Sequence, residues 1–339
     1  MDVAGLAAGN PVWVGSSELT MTLGGLRACI DAGAGAVVAK SVNESAAARR
    51  QLDIADYAFV SPDGHVRTGP AQRHDGLLNR SGLAQVELDD WLGTLAAAST
   101  HGAPAGCPVV GSITLGEPDA AARIGRAMSA VVPAVELNLG APHGREVRAV
   151  RQLTEVDGVR AAVRTVRAAV EVPLFVKLPG QASDVVALAR AARSAGADAV
   201  GLVGRYPGFL PDPAGGAALG SWGAWGSPGC LPMSLYWVGK TRQALDVPVI
   251  GTNGARTTAD VLRFLASGAR AVEVVTALWI GGPAVLRELV NGVGAALAGR
   301  DFDEFVGSAV AAVREYGDVP PPPSPAWLPH TARWLSSGR

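Results

Sequence analysis

Eight short apolar runs rich in Val and Ile recur along this chain, at residues 11–15, 36–40, 108–113, 134–139, 173–178, 199–203, 248–252 and 271–276. Each ends in small or polar residues, and most are followed by an Ala-rich stretch. A strand that is apolar throughout, rather than at alternate positions, must be covered on both faces, which is the condition of a parallel sheet wound with helices. Eight such units in succession predict a closed (β/α)8 TIM barrel in the α/β class. The intervening helices carry their own punctuation. Asp184 is placed to cap VVALARAARSAGA, which stops at Gly196, and Thr257 or Thr258 opens ADVLRFLASGA, which stops at Gly268.

At 339 residues the chain could hold two domains, but barrels commonly run past about 250 residues as one, so a single barrel over 1–317 is expected. The Pro-rich residues 318–339 read as a tail. Hydrophobic residues make up 48% and charged residues 17%, a balance that fits a large core and excludes extensive disorder. The 29 Lys and Arg are scattered among 30 Asp and Glu with no basic stripe, so nucleic acid is not an expected partner. Cys29, Cys107 and Cys230 lie far apart without CxxC pairing, so no metal site or iron–sulfur cluster is expected. With no charged leader and no apolar run of about 20 residues, the sequence reads as cytoplasmic and not membrane-bound.

Two segments break the βα rhythm. Residues 51–82 and 206–232 are long, rich in Gly, Pro and aromatics, and follow strands, so in a barrel they open onto the C-terminal face where chemistry sits. They read as active-site walls.

The strand ends carry a set of motifs: NPVWVGSS at 10–17, GAVVAKSV at 35–42, LLNRSGL at 77–83, VELNLGAPHG at 135–144, PLFVKL at 173–178 and VIGTNGARTTADVLRFLASGARAVEVVTA at 249–277. In this order they resemble the FMN barrel of class 1 dihydroorotate dehydrogenases and dihydropyrimidine dehydrogenase, with PHG closer to the dihydropyrimidine branch. The resemblance implies an FMN-dependent oxidoreductase acting on a C–C bond. It places the FMN phosphate on Asn253, Gly254, Val275 and Thr276, where two βα turns offer backbone amides. The family usually has Gly at the positions of Asn253 and Val275. Lys40 and Lys177 match cations beside the flavin; the alternative for either is a structural ion-pair partner. Ser16, Ser41 and Asn138 match further polar contacts, and Gly226 matches a glycine that lets the backbone approach the flavin.

The pattern also departs from the family. Where these dehydrogenases carry a Cys or Ser that exchanges a proton with substrate, this chain has Ala141, which cannot. Asn79 and Asn138 match two of the side-chain amides that hold the substrate ring. His143 stands where dihydroorotate enzymes tend to have Asn, and Gly204–Arg205 replaces an expected Asn–Thr or Asn–Ser pair. These changes imply a small polar substrate other than dihydroorotate. Arg205 would bind an anionic group on it or pair with a loop acid such as Asp212. His143 is the candidate acid or base, with His74 and Glu146 behind it. Without a cysteine quartet or a GxGxxG unit, electrons must pass to or from an external acceptor or donor, such as a separate reductase. Class 1 relatives are commonly dimers. Two other readings stay open: a non-redox isomerase or lyase on the same phosphate-binding barrel, and a degenerate FMN-binding paralogue.

Overall fold

The computed structural model describes residues 1–45, 53–140, 153–314 and 316–320. Eight parallel strands form the barrel: β1 (Val12–Val14), β2 (Val37–Val38), β3 (Val109–Thr114), β4 (Ala134–Asn138), β5 (Leu174–Lys177), β6 (Ala199–Leu202), β7 (Val249–Thr252) and β8 (Ala269–Val274). Each pairs with its sequence neighbours, and β8 closes on β1 through Val272↔Val12 and Val274↔Val14. All eight expected strands are therefore present, and the fold is the (β/α)8 barrel that their apolar runs require.

Helices α1 (Leu23–Asp31), α2 (Leu88–Gly102), α3 (Pro118–Ser129), α4 (Val156–Arg167), α5 (Val185–Ser194), α6 (Leu231–Ala244), α7 (Thr258–Ala266) and α8 (Thr276–Leu297) alternate with the strands. Asp184 caps α5 by accepting from the Ala187 amide. Of the two threonines offered for α7, Thr257 is the cap, in a capping box with Asp260. Gly196 and Gly268 follow the helix ends with φ of +105° and +110°, the left-handed region that only glycine enters without strain. No helix among the described residues is long and apolar enough to cross a membrane.

The period-2 alternation of strands sorts the residues of every barrel strand. Val135, Leu137, Val176 and Val272 pack outward in the main core, whereas Trp13, Val38, Val110, Ala134, Phe175, Ala199, Ile250 and Ala271 form a second cluster in the barrel interior. That cluster includes Val3, Leu6 and Ala8, because an antiparallel hairpin, Asp2–Val3 with Leu6–Ala7, plugs the N-terminal mouth. Two residues further along the same inward register the interior turns polar, at Ser112, Glu136, Lys177 and Glu273, all buried.

The segments after β2 and β6 are more than walls. Asp56–Val60 and Gly76–Arg80 come from the first, Tyr206–Gly208 and Gly223–Gly226 from the second, and the four strands join into one antiparallel sheet. Its central seam pairs Ala224 with Asn79 and Gly226 with Leu77.

Candidate active site

A cleft with about 970 Å³ of empty space opens at the C-terminal ends of the strands, under the antiparallel sheet. Ser16, Lys40, Asn79, Asn138, Lys177, Arg205, Gly226, Asn253, Gly254, Val275 and Thr276 line it together. Ser41 lies just behind, buried, its Oγ 3.1 Å from Ser16 Oγ and 2.8 Å from Ser112 Oγ. His74 is exposed on a turn and is not among the lining residues. Ala141, His143 and Glu146 lie outside the described residues.

The floor of the cleft is a buried charge cluster. Lys177 Nζ sits 2.6 Å from Glu136 Oε2 and 2.7 Å from Glu273 Oε2, and Ser112 Oγ donates to Glu136 Oε1 at 2.8 Å. Burial pulls the Lys177 pKa down, but attraction by the two carboxylates outweighs it and holds the ammonium above its ordinary range. One cation cannot neutralise two carboxylates. Burial, with repulsion from Glu136, pushes the Glu273 carboxyl up to about 7 against the pull of Lys177. Glycines make room for this cluster: a Cβ on Gly15 would stand 2.7 Å from Glu273 Oε2, and one on Gly201 would stand 3.3 Å from Lys177 Cβ. Glu136 and Glu273 were not singled out from the sequence, although each is a charge inside an apolar run in register with a barrel interior.

A second group forms the side wall. Lys40 Nζ donates to Glu18 Oε1 at 2.9 Å, and Tyr57 also hydrogen-bonds to Glu18. Arg205 Nη1 donates to Asn79 Oδ1 and makes no ion pair among the described residues; Asp212 turns instead to the Ala214 amide. Desolvation in the cleft lowers the affinity of Lys40 and of Arg205 for their protons, and Glu18 opposes it in both cases. Trp279 lines the cleft beside Tyr57, with ring centroids 5.0 Å apart. Glu18, Tyr57 and Trp279 escaped the sequence reading because they come from connecting segments and a helix face with no periodic signal.

The turn after β7 is shaped for close approach. Asn253 has φ of +68° and Gly254 φ of +123°, and a Cβ on Gly254 would stand 2.7 Å from Leu231 Cα. Asn is the side chain that best tolerates positive φ after glycine, which explains how it can occupy this turn. Among the described residues the amides of Gly254 and Ala255 have no acceptor. Those of Arg256 and Thr257 are taken by Asp260 Oδ2, each at 3.0 Å. Next to them Arg256 is 4% exposed, lines the cleft, and leaves Nε and Nη2 without a partner. Buried donors with no acceptor, at a turn whose Gly254 position leaves no room for a side chain, suit an anionic group such as the phosphate of a mononucleotide. A polar floor and a cationic wall beyond it suit an isoalloxazine ring.

Fold and cleft together define a flavin-binding (β/α)8 oxidoreductase. The family follows from comparison: residues 63–297 match the family model described as Dihydroorotate dehydrogenase, and the chain belongs to that family. It is 32% identical to the "Dihydroorotate dehydrogenase B (NAD(+)), catalytic subunit" of Thermococcus kodakarensis over 69% of this chain and 78% of that one. It is 28% identical to the protein of the same description from Pyrococcus abyssi over 86% of this chain and 92% of that one. The chain is thus an FMN-dependent oxidoreductase acting on CH–CH bonds. When bound, FMN supplies the two-electron acceptor or donor that no side chain here can provide.

Proposed function

We propose that the enzyme moves a hydride between FMN and a C–C bond of a small anionic substrate other than dihydroorotate, and exchanges electrons with a partner outside the chain. The FMN phosphate is assigned to the turn at Asn253 and Gly254 with Val275 and Thr276, and the ring to the region of Ser16, Ser41, Lys40, Asn138, Lys177 and Gly226. Lys40 and Lys177 would favour the negative charge that a flavin gains on reduction.

The observation that carries the substrate reading is the charge of the side wall. Among the described residues Lys40 and Arg205 face a single carboxylate, Glu18, which gives this end of the cleft one cation in excess among them. Asn79 supports the same reading, because one of the two acceptor sites on its carbonyl oxygen is already taken by Arg205. Ala141 supports exclusion of dihydroorotate, since it removes the usual proton carrier, worth about 10²–10⁴ in rate. His143 takes the acid–base role in this reading, and an unchanged kcat in His143→Gln would remove it.

Arg205→Met is the direct test. Orotate and fumarate serve as probes, read by their perturbation of the bound flavin spectrum. The contact is worth about 1.5–3 kcal/mol, so probe affinity should fall by roughly ten- to a hundredfold while flavin content stays constant. Loss of flavin in this variant would instead make Arg205 a support of the cofactor. Robust orotate formation from dihydroorotate by the unaltered enzyme would overturn the substrate exclusion and leave the anion site standing.

A further inference from the structure

The Arg256 guanidinium is enclosed and makes no ion pair among the described residues. Its one recorded side-chain bond is a long one, Nη1 to the Ala255 carbonyl at 3.3 Å, and Nε and Nη2 have no acceptor. The nearest carboxylate is fully committed elsewhere: Asp260 Oδ2 accepts the backbone amides of Arg256 and Thr257, and Oδ1 accepts Arg263 Nη1 at 2.8 Å. Burial lowers the Arg256 pKa to about 10, with Asp260 opposing only in part. A guanidinium still carries its charge at neutral pH under those conditions, so Arg256 is a buried cation with no direct ion-pair partner among the described residues. Such a group is costly unless an anion arrives from outside, and the open side of Arg256 is the cleft, at the Gly254 turn.

We propose that Arg256 is a dedicated counter-charge for a dianionic phosphomonoester, so that this barrel holds FMN through an ion pair at the phosphate and discriminates strongly against uncharged riboflavin. The proposal rests on the assignment of the phosphate to the Gly254 turn. It makes the phosphate site selective for charge as well as for shape: two adjacent N–H groups of a guanidinium fork can meet two phosphate oxygens, which backbone amides alone cannot match in strength. It also makes the flavin-free protein a receptor for inorganic phosphate.

The test compares FMN and riboflavin affinities, by flavin fluorescence on flavin-stripped protein, in wild type, Arg256→Met and Arg256→Lys. Wild type should prefer FMN over riboflavin. Arg256→Met should lose about ten- to a hundredfold in FMN affinity with riboflavin affinity unchanged, and Arg256→Lys, which keeps the charge without the fork, should fall between. Stability gives a second readout with the opposite sign from an ordinary packing role. Flavin-free Arg256→Met should melt no lower than flavin-free wild type, since it removes an uncompensated charge, and inorganic phosphate should raise the melting temperature of wild type far more than that of the variant. Equal losses for both flavins, or a flavin-free variant that melts well below wild type, would make Arg256 a structural residue and overturn the proposal. No loss at all would do the same. A wild type that binds FMN and riboflavin equally would overturn the phosphate assignment itself.

Discussion

Lys177 between Glu136 and Glu273 shows how a single charge imbalance can set the behaviour of a site. The Glu273 carboxyl stands at about 7 in the fold against about 4.5 when free, so its stabilising effect is present below about pH 4.5 and is lost as pH rises through 7. Glu273→Gln, neutral throughout, should therefore gain stability relative to wild type from pH 5 upward, with the difference levelling above about pH 7. Thermal melts at fixed ionic strength measure this, and a difference that stays flat over that range would mean the surplus charge is neutralised elsewhere. The cations of this site were legible in the sequence, because a Lys closing an apolar strand has few other places to go. Their partners were less so. Which carboxylates reach Lys177 depends on barrel closure, which brings β8 round to β1, and Arg256 sits in a turn where an Arg normally faces water.

At the scale of elements, the barrel strands were readable because each is specified locally by an apolar run and the helix that covers it. The antiparallel sheet above them was not. Its central strands pair residues about 145 apart in sequence, and the Gly and Pro that fill both segments mask strand patterning. Packing explains those glycines: a Cβ on Gly76 would stand 2.0 Å from the Trp225 ring, and one on Gly208 would stand 2.7 Å from Leu78 Cδ1. Gly76→Ala should thus loosen the seam without touching the barrel. Faster amide hydrogen exchange in 56–60, 76–80 and 223–226, with protection of β3 to β5 unchanged, is the expected result, along with weaker probe binding through displaced Asn79. Unaltered exchange in those strands would show that Trp225 simply swings aside.

Across the whole molecule, the barrel interior runs from an apolar end, closed by the N-terminal hairpin, to a polar end that opens into the cleft. The two ends do different jobs and should be separable. Leu6, 3% exposed, packs in the apolar end, and Leu6→Ala should cost about 2–5 kcal/mol in denaturant unfolding while the folded protein keeps its flavin. A cost under about 1 kcal/mol would mean that the hairpin frays independently of the barrel. The sheet over the other end has a different consequence. Because Asn79 and Ala224 are register partners, neither segment carries a complete cleft wall by itself. Substitutions in one should be epistatic with substitutions in the other, and their effects should fail to add. Swapping substrate preference between members of this family therefore calls for transplanting both segments as a matched pair; a graft of either alone would inherit half a seam.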